Sequence, residues 1–235
     1  MFREIESVAT DLWLLPDGVE EILPPESGRV EDLRRQLLDL YHHWGYQLVF
    51  PPLVEFLESL LTGAGQDLDL QTFKITDQAT GKLMGVRADM TPQMARIDAR
   101  NVRQGANRFC YVGTVLRTRT SSYFPSRAPV QTGCELFGVA DAAADIEVIS
   151  MMIETLKRSG VKEIHMDLSH LRICQQLLAA AGLSPQAEGL LRSALLRKSI
   201  PDIKQLAEEI ESAAVRKLLL LLPSLSGGPE VLNRT

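Results

Sequence analysis

Residues 108–138, RFCYVGTVLRTRTSSYFPSRAPVQTGCELFG, hold two strand-like runs joined by a loop too long and too basic to be a plain turn. The first run, Tyr111 to Arg117, is rich in aromatic and β-branched residues, and the second, Val130 to Val139, alternates in the same way. The loop between them, Thr118–Pro129, carries Arg119 and Arg127. Side chains alternate along a strand, so Gln131, Gly133, Glu135 and Phe137 share one face of the second run. Tyr111, Gly113, Val115 and Arg117 share one face of the first. With Arg117 turned the same way as Gln131 and Glu135, one sheet surface carries a cation, an amide and a carboxylate around a glycine floor. Burying such groups without partners costs roughly 1–3 kcal/mol each, so the face is expected to meet a polar ligand or water. A solvated sheet face with a long hairpin satisfies the same pattern. Pattern alone leaves both readings open.

Within 235 residues there is room for one large domain or two small ones. A net charge of −5 argues against a broad nucleic-acid surface, although a local basic loop survives in an acidic protein. The cysteines, Cys110, Cys134 and Cys174, form no C-x-x-C pair, and the two in the strand-like runs suit buried free thiols. The longest leucine run, Leu218–Leu222, is too short to cross a bilayer. A soluble, cytoplasmic protein with no metal and no cofactor is expected.

Taken in order, residues 13–28 have the proline and glycine content of an ordered loop. From Pro25 to Trp44, Val30, Leu33, Leu37, Leu40, Tyr41 and Trp44 recur at helical spacing, and Gly45 follows as a stop. The run 46–56 reads as a strand that must end at Pro51 and Pro52 or lie at an edge, since neither proline can donate to a ladder. A short helix over Glu55–Thr62 is expected next, then a hairpin of 72–77 and 83–89. Thr91 is placed as an N-cap with Pro92 as the first residue of a helix running to Val102. Asp89 and Thr91 therefore sit at a strand end beside a helix start, where backbone amides and side chains converge on ligands. A plain capping junction accounts for Thr91 fully and for Asp89 in part.

Beyond the central stretch, 141–159 reads as a helix with Ile146, Ile149, Ile153 and Leu156 inward and Gly160 as its stop. Residues 161–170 read as a strand, with His165 on its outer face. Helices follow over 171–181, 185–197 and 201–222, the last broken near Ser212. The closing SLSGGPEVLNRT resembles a linker, and the chain is expected to stop before the fold does. No G-x-G-x-x-G, Walker loop, nucleophile elbow or metal-spacing cluster occurs, and adjacent His42 and His43 point about 100° apart on a helix.

Four segments agree with one another: GYQLVFPPLVE (45–55), VRADMT (86–91), the Arg117 strand with its loop, and QTGCELFG (131–138). Together they resemble the catalytic core of class II aminoacyl-tRNA synthetases, and within that class the histidyl enzymes, from about Leu14 to Leu168. The resemblance implies an α+β fold, an antiparallel sheet flanked by helices over 1–170, with a helical appendage over 171–235 and the C-terminal part of the core missing. It places Pro52 at the dimer interface of motif 1 and Arg117 at the motif 2 arginine that contacts the ATP α-phosphate. Asp89 and Thr91 fall on residues that hold the substrate amino group, and Gln131 and Glu135 on residues that face bound histidine.

The motif 2 loop departs from that pattern. The position of the ATP-binding glutamate is Arg119, the next arginine is Thr120, and a G-R pair falls on Phe124 and Pro125; the last arginine is kept as Arg127. Exchanging a carboxylate that accepts from the adenine amino group for a cation removes that contact and reverses the local charge. This half-kept site is similar to that of the histidyl-tRNA-synthetase-like regulatory subunits of ATP phosphoribosyltransferase. The resemblance implies no catalysis, a histidine site at Asp89, Thr91, Arg117, Gln131 and Glu135, and a degenerate ATP site at Arg119, Thr120, Phe124, Pro125 and Arg127. The implied partners are a short-form catalytic subunit in a hetero-octamer and a second copy of the chain, with no tRNA and no membrane. An amino-acid-activating ligase of the histidyl type is the alternative.

Overall fold

The computed structural model describes residues 14–63, 65–100, 105–120, 125–228 and 230–231. The chain divides into two compact units, Met1–Ile164 and His165–Thr235. In the first, helix α1 (Glu26–His43) is stopped where Gly45 takes φ +84°, a left-handed conformation that glycine adopts without penalty. Two three-stranded sheets follow. Strand β1 (Gln47–Leu48) lies at the edge of a sheet ordered β1–β5–β6, parallel to β5 (Asn107–Thr114), which is antiparallel to β6 (Val130–Phe137). In the other sheet β2 (Val54–Phe56) and β3 (Phe73–Thr76) flank β4 (Leu83–Val86), all antiparallel.

The expected hairpin is therefore β3–β4, but β2 adds a strand where a helix over Glu55–Thr62 was expected. Cross-strand pairing with β4 claims Val54–Phe56, and helix α2 is confined to Leu57–Leu60. A further helix, α3 (Gln66–Gln71), stands between the expected short helix and the hairpin, where no element was expected. Helix α4 (Thr91–Arg100) begins at Thr91. Thr91, expected as the N-cap, is thus the first helical residue: Asp89 Oδ1 accepts from Thr91 N at 2.9 Å, and the Thr91 hydroxyl is turned to Tyr111 OH. The expected end at Val102 lies outside the described residues.

Helix α5 (Ala142–Arg158) is capped by Asp141, which accepts from Ala144 N. It docks through Glu147, Met151 and Thr155, and the expected inward Ile146 is exposed. The reason is polar: Glu147 meets Arg108 at 2.6 and 2.7 Å, and Thr155 meets Tyr41. One face of β5–β6 thus packs Cys110 and Cys134 against Leu37, Leu40, Tyr41 and Met151. The opposite face sets Tyr111, Phe109 and Phe137 against Met90, Met94 and Ile97 of the α4 region. Burying Met94 completely contributes about 1.5–3 kcal/mol.

Residues 161–170 are not a strand. Alternation favours extended backbone, but a strand needs a partner, and among the described residues none pairs with this segment, which leaves Val161, Met166 and Leu168 exposed. The second unit packs α6 (Leu171–Ala180), α7 (Pro185–Leu196), α8 (Ile200–Ala207) and α9 (Ala213–Leu221) around Leu178, Leu191, Ile203, Ile210 and Leu219. Ser184 and Ser212 cap α7 and α9, so the expected break near Ser212 separates two helices. Among the described residues no helix is long and apolar enough to cross a membrane, and no cluster of His, Cys, Asp and Glu could hold a metal ion.

Candidate functional site

The β5–β6 register sets Gly113 opposite Gln131, Tyr111 opposite Gly133 and Phe109 opposite Glu135. Gln131, Gly133 and Glu135 therefore share the face that looks toward α4, as alternation requires. Gln131 reaches across to the β4–α4 junction. Its Oε1 accepts from Met90 N at 3.0 Å and its Nε2 donates to Asp89 Oδ1 at 2.8 Å. That same Oδ1 accepts from Thr91 N. The Thr91 hydroxyl is hydrogen-bonded to Tyr111 OH at 3.2 Å, and Tyr111 OH donates to Glu135 Oε1 at 3.3 Å. Gln131, Asp89 and Thr91 are thus bonded to one another, and Glu135 is joined to them through one residue that sequence reasoning did not single out, Tyr111.

Tyr111 occupies the glycine floor. A Cβ at Gly133 would collide with the Tyr111 phenol, and one at Gly113 would come within 2.9 Å of Arg87 Nη2. The alternating glycines were a legible signal of close approach, but they do not name what approaches. Burial pushes the Glu135 carboxyl above its ordinary range, and the Asp89 charge adds to the effect, while hydrogen bonds from Thr91 and Tyr111 oppose it. Burial also pushes the Tyr111 phenol up, which keeps it a neutral donor. Among the described residues neither Asp89 nor Glu135 has a cationic partner. Two carboxylates, a hydroxyl and an amide on one face, with no cation, make a site for an ammonium group.

Arg117 lies past the end of β5, not within it as expected. Its backbone forms an isolated bridge with Thr72, and its Nε donates to Ala88 O at 3.3 Å, beside Asp89. Arg117, Arg119 and Thr120 line an open depression of about 290 Å³ together with Asp67, Leu70, Gln71 and Ser126. Arg119 and Pro125 are exposed, and Phe124 lies outside the described residues. Arg127 is turned away from this depression. Its Nε donates to Arg117 O and its Nη1 to Asp17 O, both at 3.1 Å, with the guanidinium 5.0 Å from the centre of the Phe73 ring. Pro52 is exposed, with its carbonyl turned to Gln93 Nε2.

The family model of histidyl-tRNA synthetase matches residues 18–235. The chain is 58% identical over 221 residues to an ATP phosphoribosyltransferase regulatory subunit of Hahella chejuensis, covering 94% of this chain and 55% of that protein. It is 53% identical to the protein of the same name from Marinobacter nauticus, covering 95% of this chain and 57% of the relative. The chain thus spans little more than half the length of these relatives. A crystal structure from Bacillus halodurans, described as an ATP phosphoribosyltransferase regulatory subunit/histidyl-tRNA synthetase, superposes with a TM-score of 0.80 at 28% identity, over 94% of this chain and 58% of that one. The paired strands, the β4–α4 junction and these matches agree: the chain belongs to the histidyl-tRNA synthetase family and has the α+β fold of the class II synthetase core.

Proposed function

We propose that the protein is a non-catalytic regulatory subunit of ATP phosphoribosyltransferase that senses histidine at the first step of histidine biosynthesis. The asymmetry of the site carries this reading. Asp89, Thr91, Tyr111, Gln131 and Glu135 form one connected surface with two carboxylates that lack a cation among the described residues. The loop expected to serve ATP carries Arg119 and Thr120 and commits Arg127 to the main chain. The shared name of the two relatives supports the same reading.

In this reading the ammonium of histidine is held by Asp89 and Glu135, with Thr91 and Tyr111 fixing their geometry and Gln131 holding Asp89 in place. Arg117 takes the ligand carboxylate, because no nucleotide phosphate competes for it. The partner is a short-form catalytic subunit in a hetero-octamer, built on homodimers that form through the face around Pro52. No tRNA is bound, and the assembly works in the cytoplasm. Feedback requires histidine to favour one state of the assembly, and a coupling of about 1–3 kcal/mol suffices.

The test is reconstitution with the catalytic subunit and titration with L-histidine. Wild-type complex is inhibited, and Asp89→Ala and Glu135→Ala each relieve inhibition without loss of assembly. Inhibition unchanged by both substitutions would sink the sensing role, and histidine-dependent pyrophosphate exchange from ATP would favour a ligase.

A further inference from the structure

Three consecutive carbonyls, those of Pro51, Pro52 and Leu53, accept hydrogen bonds from the segment that carries the site. Arg87 Nη1 donates to Pro51 O at 2.7 Å, Gln93 Nε2 to Pro52 O at 2.7 Å, and Arg87 N to Leu53 O at 3.0 Å. Pro51 and Pro52 have no N–H, so a strand ladder cannot hold this stretch, and residues 87–93 hold it instead. The stretch lies within an exposed apolar segment that includes Leu48, Phe50, Leu53 and Phe56, with Phe50 72% exposed.

The anchor beneath it is buried. Gln93 is 1% exposed, and its Nε2 donates a second bond, at 2.8 Å, to Glu55 Oε1, which also accepts from Arg96 Nη2. Glu55 Oε2, Gln93 Oε1 and Arg96 Nε have no partner among the described residues. A buried network that is only partly satisfied is sensitive to small shifts of its members, because each bond in a low-dielectric interior carries more energy than it does in water. Gln93 sits two residues after Thr91, and Arg87 two before Asp89. One short junction therefore presents Asp89 and Thr91 on one side and holds the 51–53 carbonyls on the other.

We propose that Arg87 and Gln93 are positioning residues that tie the 48–56 segment to the amino-acid site, so that occupancy of the site changes the local stability of that segment. This rests on the histidine site proposed above. A ligand that orders the Asp89–Thr91 turn also steadies what hangs from it, and the effect reads as slower opening of the backbone amides in the tied segment.

The experiment is hydrogen exchange followed by mass spectrometry on the protein with and without saturating L-histidine, reading the peptide over 44–57, with affinity measured separately by calorimetry. In wild-type protein the ligand slows exchange in this peptide by about fivefold or more. Gln93→Met binds L-histidine as wild type does and loses that slowing. Should the methionine variant not fold, Gln93→Asn keeps an amide in the buried position, draws it back from the Pro52 carbonyl by one methylene, and loses the slowing in the same way. Slowing of wild-type size in the variant that folds would overturn the proposal, as would an unresponsive 44–57 peptide in histidine-bound wild-type protein. Absence of any L-histidine binding to wild-type protein would instead defeat the site reading on which the proposal stands.

Discussion

Gln131 holds Asp89 in place across the junction of strand and helix, with its amide nitrogen 2.8 Å from Asp89 Oδ1 and its amide oxygen 3.0 Å from Met90 N. Replacing Gln131 with leucine removes both bonds. The N–H of buried Met90 loses its acceptor, and the cost to stability is about 1–3 kcal/mol. Thermal unfolding measures that loss, and calorimetry with L-histidine is expected to show at least about tenfold weaker binding, since roughly 1.4 kcal/mol of misplaced Asp89 suffices.

The raised pKa of Glu135 gives ligand binding a pH dependence of known sign. At the histidine site proposed above, the carboxylate must be ionised to accept from an ammonium, so affinity for L-histidine is expected to fall as pH drops through the raised value. Folding has the opposite sign. A carboxyl whose folded pKa lies above its unfolded value contributes stability that is full below the unfolded value and lost as pH rises through the folded one. Glu135→Gln is therefore expected to flatten the stability profile of the free protein across that window, and to abolish the pH dependence of binding along with most of the affinity. Denaturant melts and calorimetry across the acidic range read the two effects separately.

Gly133 is required by Tyr111. Alanine at 133 puts a methyl group into the phenol and forces the ring off the floor, at a cost of about 1–3 kcal/mol in stability. Tyr111→Phe in the same background is expected not to rescue folding fully, because the ring carbons Cζ and Cε2 also meet the new methyl. Chemical denaturation of the single and double variants tests this.

The cysteines on β5 and β6 are expected to be silent in the native state. Burial pushes the Cys110 thiol to about 11 and the Cys134 thiol higher still, so neither supplies thiolate near pH 8. Disulfide-exchange titration of folded protein is expected to report Cys174 at most, and all three thiols after denaturation.

The two faces of β5–β6 were legible from alternation alone, because a period of two fixes which residues share a side once both segments are strands. Asp89 and Thr91 were legible as a pair at a strand end beside a helix. That VRADMT meets QTGCE in space was not a property of either segment, and it entered with the resemblance. Tyr111 stayed hidden among core aromatics, since its role depends on cross-strand register with Gly133, which no local window contains. β2 and α3 were missed for a related reason: three or six residues carry too little period to outweigh a competing pattern, and pairing with β4 decided the first. Residues 161–170 failed in the other direction, as a sound strand pattern with no neighbour to pair among the described residues.

Arg127, the one arginine that the resemblance to motif 2 counts as kept in this loop, is not at liberty. Its guanidinium fastens the backbone at Asp17 and Arg117 and covers Phe73, while Gly18, held at φ +74°, has no room for a side chain beside it. Identity at one position of a motif therefore counts an arginine as retained when its donors already hold the main chain. Placing glutamate at position 119 would reverse the charge there without releasing this neighbour, so freeing the Arg127 guanidinium for a ligand would need the 14–25 loop to let go as well.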